Sequence, residues 1–406
     1  MNLLWIATKA PWPPIDGGRL LLWETLSALH GRGHRIFLVA PLHPDAPEDE
    51  RREIVQRLSA VCEPHLALRR PPVLVRAWIR GALARQPTTL VRHDAPEVVD
   101  LARGILSSAD VAVDVVVAEQ LQAYPQARAA AAAARVPVVV RAQNVESDLW
   151  SGAARRTFLA RVLLRTESRR LALAEGRMLA EADAVVAVSR EDAERLRELG
   201  GPAVRPRVVC PPFPEDLPSS QSPLEGSPPL VVLGSAGWAP NRDSIRWFLS
   251  ELWPAVHREL PETVLHVFGA PRLRAAGAVG HAAPEDSAAA FAPGAVLLVP
   301  LRVASGIRMK VLEAWARGVP VIATTVAVRG LPEGAEDAVL LAGSAEELVA
   351  ALRRLERAGE RERLAAAGRR LLRERHDPGA IAAQLEEVFE QAATVARSGA
   401  ARGEER

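Results

Sequence analysis

Apolar positions along the chain alternate between two spacings. Short, almost unbroken apolar runs occur at 3–7, 35–40, 111–118, 136–141 and 184–189, and each reads as a buried strand. Between them, 19–32, 127–135 and 153–180 carry apolar residues at helical spacing. Short strands alternating with helices predict parallel pairing in a doubly wound α/β layer. At 211–229 proline and serine are too dense for a helix or a central strand, which predicts an interdomain linker. The alternation then restarts, with strands at 230–233, 264–268, 296–300 and 319–323 and helices at 244–257 and 309–317. From Ser344 the chain reads as helical, with a frayed end over 398–406. The expected organisation is a first α/β domain over 1–210, the linker, a second α/β domain over 230–375, and a terminal helix and tail over 376–406. Two such layers joined by a hinge predict a ligand site in a cleft between them.

A length of 406 residues agrees with two domains. With 49% hydrophobic and 25% charged residues the chain has ordinary globular composition and excludes disorder. The net charge of +2 gives no reason to expect nucleic acid as a partner. Residues 1–210 hold 29 basic and 24 acidic side chains, so the first half is mildly cationic. Its arginines cluster at 69–92, around Trp78, and at 155–177. A solvated helix face and contact with an anionic membrane surface both fit these clusters. Cys62 and Cys210 form neither a disulfide framework nor a metal cluster, and read as apolar fillers in a reduced compartment. The apolar start is too short for a signal segment, and no run reaches the ~20 residues a membrane span needs. The expected location is cytoplasmic, soluble or peripheral at the inner membrane face.

Of the 51 basic residues only Lys9 and Lys310 are lysine. Lysine is a compact point charge where arginine is a planar fork, and a phosphate is the usual reason to keep it. Lys9 lies in Ala7-Thr-Lys-Ala-Pro-Trp-Pro-Pro-Ile-Asp-Gly-Gly18, between a strand and a helix. Lys310 lies in Ser305-Gly-Ile-Arg-Met-Lys-Val-Leu-Glu313, a glycine turn opening a helix. Gly306 allows close backbone approach, and the helix start supplies N–H groups and a positive dipole end for an anion. Arg308 and Lys310 add fixed charge. Glu313, about one turn further in, offers acceptors for two neighbouring hydroxyls of a sugar.

The run Leu312-Glu-Ala-Trp-Ala-Arg-Gly-Val-Pro-Val321 resembles the donor-binding motif of GT-B glycosyltransferases, the retaining family 4 in particular. The resemblance implies an α/β GT-B fold: two Rossmann-like domains facing across a cleft, the first for the acceptor and the second for a nucleotide-sugar donor. It gives Glu313 the ribose of the nucleotide and brings Ser305, Gly306, Ile307, Arg308 and Lys310 to the diphosphate and donor sugar. Ser305 stands where the family usually has a glutamate. Residues 231–249 resemble the opening of the family's second domain, with Trp238-Ala-Pro-Asn241 in place of its usual Arg/Lys pair. Arg308 and Lys310 then assume the catalytic charge, and Asn241 either caps the next helix or meets the donor. Gly17 and Gly18 resemble the family's glycine turn at the donor phosphate, with Lys9 and Asp16 on the acceptor side.

Glu119 and Gln120 occupy the strand end where the family often has a histidine. Arg141-Ala-Gln-Asn-Val-Glu146 resembles its His-Asn-Val-Glu segment, which brings Asn144 and Glu146 to the acceptor and replaces the histidine with Gln143. No general base emerges. The family's retaining mechanism tolerates that, because the departing diphosphate takes the acceptor proton. The function implied is hexosyl transfer from a UDP- or GDP-linked sugar to a glycan or lipid-linked acceptor in cell-surface polysaccharide or glycoconjugate synthesis. No metal or cofactor beyond the nucleotide-sugar co-substrate is expected. Another GT-B enzyme, such as a nucleotide-sugar epimerase, and a catalytically silent nucleotide-sugar-binding or scaffold module are the alternatives. Ser305, Gln120 and Gln143 favour the latter. A dinucleotide-dependent dehydrogenase is not expected, since no Gly-x-Gly-x-x-Gly follows the first strand.

Overall fold

The computed structural model describes residues 1–153, 158–234, 239–284, 286–303 and 305–404. The chain divides into two compact units. One comprises Met1–Pro14, Gly18–Pro212 and Pro378–Arg406, the other Ile15–Gly17 and Phe213–Asp377.

The first unit is built on β1 (Asn2–Ile6), β2 (Arg35–Leu42), β3 (Glu63–Leu68), β4 (Val115–Glu119), β5 (Val138–Ala142), β6 (Ala184–Ala187) and β7 (Arg207–Val208). They form one parallel sheet in the order β3-β2-β1-β4-β5-β6-β7. In register, Leu4 of β1 faces Phe37 on one side and Val116 on the other. The central strands are apolar on both faces because helices cover both, as parallel sheets require. On one face Trp5 meets Phe389 edge to face, ring centres 6.2 Å apart. The Pro378–Glu404 helix therefore completes the core of the first unit, although it follows the second in sequence.

The second unit holds β8 (Pro229–Leu233), β9 (Val264–Phe268), β10 (Ala278–His281), β11 (Val296–Val299), β12 (Val321–Ala323) and β13 (Leu340–Leu341), all parallel, in the order β10-β9-β8-β11-β12-β13. Strand order reverses between β1 and β4 in one sheet and between β8 and β11 in the other. In open α/β sheets ligands bind outside the carboxyl ends of the strands at such switch points.

The expected central strands are present, whereas β3 and β10 at the sheet edges escaped the apolar pattern. Their sequences, Glu-Pro-His-Leu-Ala-Leu and Ala-Val-Gly-His, have too little apolar surface to stand out. The helix expected at 153–180 is present over Phe158–Glu181, residues 154–157 lie outside the described ones, and a further helix, Glu146–Ala153, precedes it in the chain. The tail expected to fray continues as helix to Glu404, with Glu405 and Arg406 outside the described residues.

The proline-rich segment forms no helix and no strand before Pro229, yet it is tied to the second unit. Phe213 is buried, and its N–H donates to the His376 carbonyl at 2.8 Å. Leu217 N donates to Ala316 O at 3.0 Å, and Ser219 Oγ to Arg317 O at 2.9 Å. It is a strap along the Met309–Ala316 helix. Burial pushes the Cys62 thiol up to about 12, so it is inert filler, while Cys210 is only partly buried. Among the described residues no helix is long and apolar enough to cross a membrane.

Candidate active site

In the second unit the candidate groups gather at the carboxyl ends of β8 and β11. The loop after β11 reaches Gly306, whose φ of 73° is left-handed, and enters the Met309–Ala316 helix through Arg308. Gly330, at φ 79°, lies against it so closely that a Cβ there would meet the Gly306 carbonyl oxygen at 2.6 Å. Only glycine permits that approach.

Arg308 binds the two loops together. Its guanidinium donates to Ser305 O at 3.2 Å and to the carbonyls of Gly306 and Arg329, and the side chain is buried. Arg308 is expected to offer catalytic charge to a ligand, and here three N–H groups of its fork donate to carbonyls of its own scaffold.

Lys310 is placed differently. Its ammonium donates to the carbonyl of Leu233 at the end of β8, in a small recess lined also by Gly234, Asn241, Ser244 and Leu301. An ammonium has three donors, and among the described residues this carbonyl takes one. Burial, followed by the nearby Arg308 charge, lowers the Lys310 pKa to about 8. The first N–H groups of the helix lack intrahelical acceptors and add partial positive charge beside it. Asn241 lies within the first turn of the Ala239–Trp247 helix, its amide 3.6 Å from where a Gly234 Cβ would stand. It is therefore a recess residue and does not cap that helix. Trp238 lies outside the described residues.

Glu313 is buried on the same helix. Its Oε1 accepts from Arg317 Nε at 3.1 Å, from Arg317 Nη2 at 2.9 Å and from Ser287 Oγ. Among the described residues Oε2 takes no hydrogen bond. Arg317 is itself held, donating to Pro218 O of the strap and lying over the Phe291 ring at 5.3 Å. The carboxylate thus has one oxygen fixed and the other open. Ser305 and Ile307 are partly buried in the same loop.

In the first unit a buried network closes the carboxyl ends of β1, β4 and β5. Glu119, 2% exposed, accepts from Trp5 Nε1 (2.9 Å), Arg141 Nη1 (2.8 Å) and Gln143 Nε2 (2.6 Å). Arg141 also donates to Thr25 Oγ1 at 2.8 Å. Glu119 was expected at the acceptor. That is corrected, because both its oxygens are consumed by the core and none faces solvent. Gln120 follows at φ 69° and ψ 158°, a region essentially reserved for glycine. Its amide is fixed between Thr8 Oγ1 (2.9 Å) and Gln143 Oε1 (2.8 Å), and Gln143 reaches Gly18 O at 3.2 Å. Gly18 is thereby joined to the network, while Asp16 and Gly17 group with the second unit.

Beside this network Glu146 accepts hydrogen bonds from Gln122 and Asn144 and senses the charge of Lys9. Burial and the neighbouring Glu175 raise its pKa to about 7. His93 also senses Lys9, and burial lowers its pKa. Its Nδ1 lies 2.7 Å from Thr89 O, which requires the proton on Nδ1 and leaves Nε2 as the basic nitrogen of a neutral ring. His93 and Gln122 were missed in the sequence, where neither carries a local motif. Two buried glutamates of the Phe158–Glu181 helix hold this cluster together. Glu175 caps the Glu146–Ala153 helix through Glu146 N (3.1 Å) and Ser147 N (3.2 Å), and Glu167 accepts from Thr88 N at the start of the Thr88–His93 helix. The inner face of that long helix is thus structural. The arginines at 155 and 156 lie outside the described residues. Among the described residues no three His, Cys, Asp or Glu side chains converge as metal ligands.

Two doubly wound units of this topology, each with polar groups gathered at its switch point, define a GT-B protein. Residues 17–212 match the glycosyl transferase 4-like domain family, and 227–357 match the glycosyl transferases group 1 family. The chain belongs to these group 1, family 4-like glycosyltransferases. Solved structures agree on the fold. Sucrose-phosphate synthase from Thermosynechococcus elongatus is 15% identical, with a TM-score of 0.69 over 97% of this chain and 100% of that one. HepE from Anabaena, solved with UDP-glucose, is 15% identical with a TM-score of 0.64 over 96% and 100%. WaaG, a glycosyltransferase of lipopolysaccharide biosynthesis, is 17% identical with a TM-score of 0.61 over 95% and 99%. No curated protein matches the chain in sequence.

Proposed function

We propose that the chain transfers a hexose from a nucleoside diphosphate donor to a glycan or lipid-linked acceptor, with retention and without a metal. One observation carries this reading. Lys310, one of two lysines in the chain, sits at the switch point of the second sheet, beside the N-terminus of the Met309–Ala316 helix. A partly buried cation and the first N–H groups of a helix at that point suit a diphosphate, which the pair stabilises as it departs. Glu313 Oε2 then receives the ribose hydroxyls, with Oε1 locked by Arg317 and Ser287. Arg308 acts through the loop it binds, keeping Gly306 and Ile307 in place.

On the acceptor side Lys9, Asn144, Glu146 and His93 would orient the attacking hydroxyl. In a retaining reaction the departing diphosphate takes its proton, so no strong base is required. UDP is the favoured nucleotide, since HepE has been solved with UDP-glucose. An acceptor in cell-surface glycan synthesis is supported by the likeness to WaaG. The silent nucleotide-sugar-binding module keeps two observations in its favour: Ser305 stands in place of a carboxylate, and the guanidinium of Arg308 donates to its own loops.

Incubation with a panel of UDP- and GDP-sugars, with nucleotide release followed beside a Glu313→Ala control, tests the proposal. Release from one donor that the substitution abolishes supports transfer. Binding without release, even with acceptor glycolipids present, establishes the silent module. Failure to bind any donor overturns both.

A further inference from the structure

The Leu74–Ala84 helix of the first unit is built inside out. Its protein-facing positions are small: Ala77 is fully buried, and Gly81 lies so close to the following turn that a Cβ there would meet the Gln86 carbonyl oxygen at 2.8 Å. Its large apolar side chains face outward. Leu83 is 82% exposed, Val75 69%, Leu74 54%, Ile79 50% and Trp78 41%. At helical spacing Leu74, Trp78, Val75, Ile79 and Leu83 form one continuous arc, with Arg76 and Arg80 along one edge. Scattered exposed apolar residues need no explanation, but a continuous arc on a single helix marks an interaction surface.

Charge decides what covers it. From Pro64 to His93 the sequence has no acidic residue and six arginines. Arg69 is used internally, donating to the carbonyls of Arg92 and Asp94, and Arg70 pairs with Asp45. Arg76, Arg80 and Arg85 are exposed, and among the described residues none has an acidic partner. A helix with an apolar arc containing tryptophan, bordered by arginine and free of acid, matches the interfacial zone of an anionic bilayer.

We infer that the Leu74–Ala84 helix docks the protein on an anionic lipid leaflet, its Trp78–Ile79–Leu83 arc immersed and Arg76 and Arg80 at the headgroups. The helix leads through Arg85 and Pro87 into the Thr88–His93 helix, so docking brings the His93 and Glu146 cluster close to the leaflet. A lipid-anchored acceptor would meet these groups without leaving the membrane. Docking itself requires no donor and stands apart from the sugar-transfer reading.

Flotation of the full chain with vesicles tests this, using equal parts phosphatidylglycerol and phosphatidylcholine against phosphatidylcholine alone. The wild type floats with the anionic vesicles and much less with the neutral ones. Ile79→Glu/Leu83→Glu, at exposed positions, keeps the wild-type melting temperature and binds anionic vesicles at least about tenfold more weakly. Arg76→Gln/Arg80→Gln weakens anionic binding by roughly tenfold and leaves the neutral background unchanged. Three results overturn the inference: a wild type that stays with the lipid-free fraction, a double-glutamate variant that floats like the wild type, or wild-type self-association without lipid that this variant abolishes while flotation persists.

Discussion

Arg317 grips Glu313 across one turn of helix, Nε and Nη2 both donating to a single carboxylate oxygen at 3.1 and 2.9 Å, with both side chains almost fully buried. Such a clamp fixes the direction of the remaining oxygen. It also makes each partner depend on the other, because a buried charge without its counterion is costly. Arg317→Ala should therefore destabilise the chain by about 3–5 kcal/mol in denaturant unfolding. Arg317→Lys should lie between, since it keeps the charge and loses the fork. An Arg317→Ala protein as stable as wild type would show that the pair does not constrain Glu313.

Lys310 gives a pH signature. With its pKa lowered to about 8, the ammonium is charged at pH 7 and mostly neutral at pH 9. The diphosphate of a nucleotide sugar is esterified at both ends and fully ionised across that window, so affinity for a nucleotide sugar should fall as pH rises past about 8. Lys310→Arg, charged throughout, should flatten the profile even if it binds more weakly. Titration calorimetry at several pH values distinguishes the two, and a flat wild-type profile would remove Lys310 from the ligand.

Gln120 tests whether strain is stored beside the acceptor cluster. Its backbone conformation costs about 1–3 kcal/mol for a residue with a side chain. Its amide hydrogen bonds to Thr8 and Gln143 return about 1 kcal/mol each. Gln120→Ala loses the bonds and keeps the strain, whereas Gln120→Gly loses the bonds and sheds it. The glycine variant should be the more stable by about 1–3 kcal/mol, while both lose turnover. Equal melting temperatures would contradict the strain.

Glu146 links protonation to folding. Its carboxyl titrates near 7 in the folded protein and near 4.5 when unfolded, so the folded state binds the extra proton between those values. Stability from this group is then lost as pH rises from about 4.5 to 7 and is level above. Glu146→Gln should remove that loss, which amounts to at most about 3 kcal/mol. Unfolding curves for both proteins at pH 5 and 7.5 measure it directly, and parallel pH dependences would rule out a proton-holding Glu146.

The fold and half of the candidate site were legible in the sequence for a definite reason. Central parallel strands are apolar on both faces, so β1, β4, β8, β9 and β11 stand out, whereas the edge strands β3 and β10 do not. The glycine turn, Lys310 and Glu313 lie within nine residues, so their proximity needed no tertiary information. Sequence shows that Arg308 is charged but not where its guanidinium points, and it points into the scaffold. Glu119 misled for the same reason, its charge being matched by Arg141, which lies on the neighbouring strand. His93 was invisible because a helical hairpin after β3 carries it to where it senses Lys9, as Glu146 does. The terminal helix, which follows the second unit in the chain, gave no hint that it packs against Trp5.

Direct titration of the chain with UDP and GDP tests the central claim, that the Lys310 recess and Glu313 hold a nucleoside diphosphate. One nucleotide should bind, and Lys310→Ala and Glu313→Gln should each weaken it by about tenfold or more, as expected for losing a charged hydrogen-bond partner. Binding that neither substitution weakens, or no binding of either nucleotide, would contradict the account.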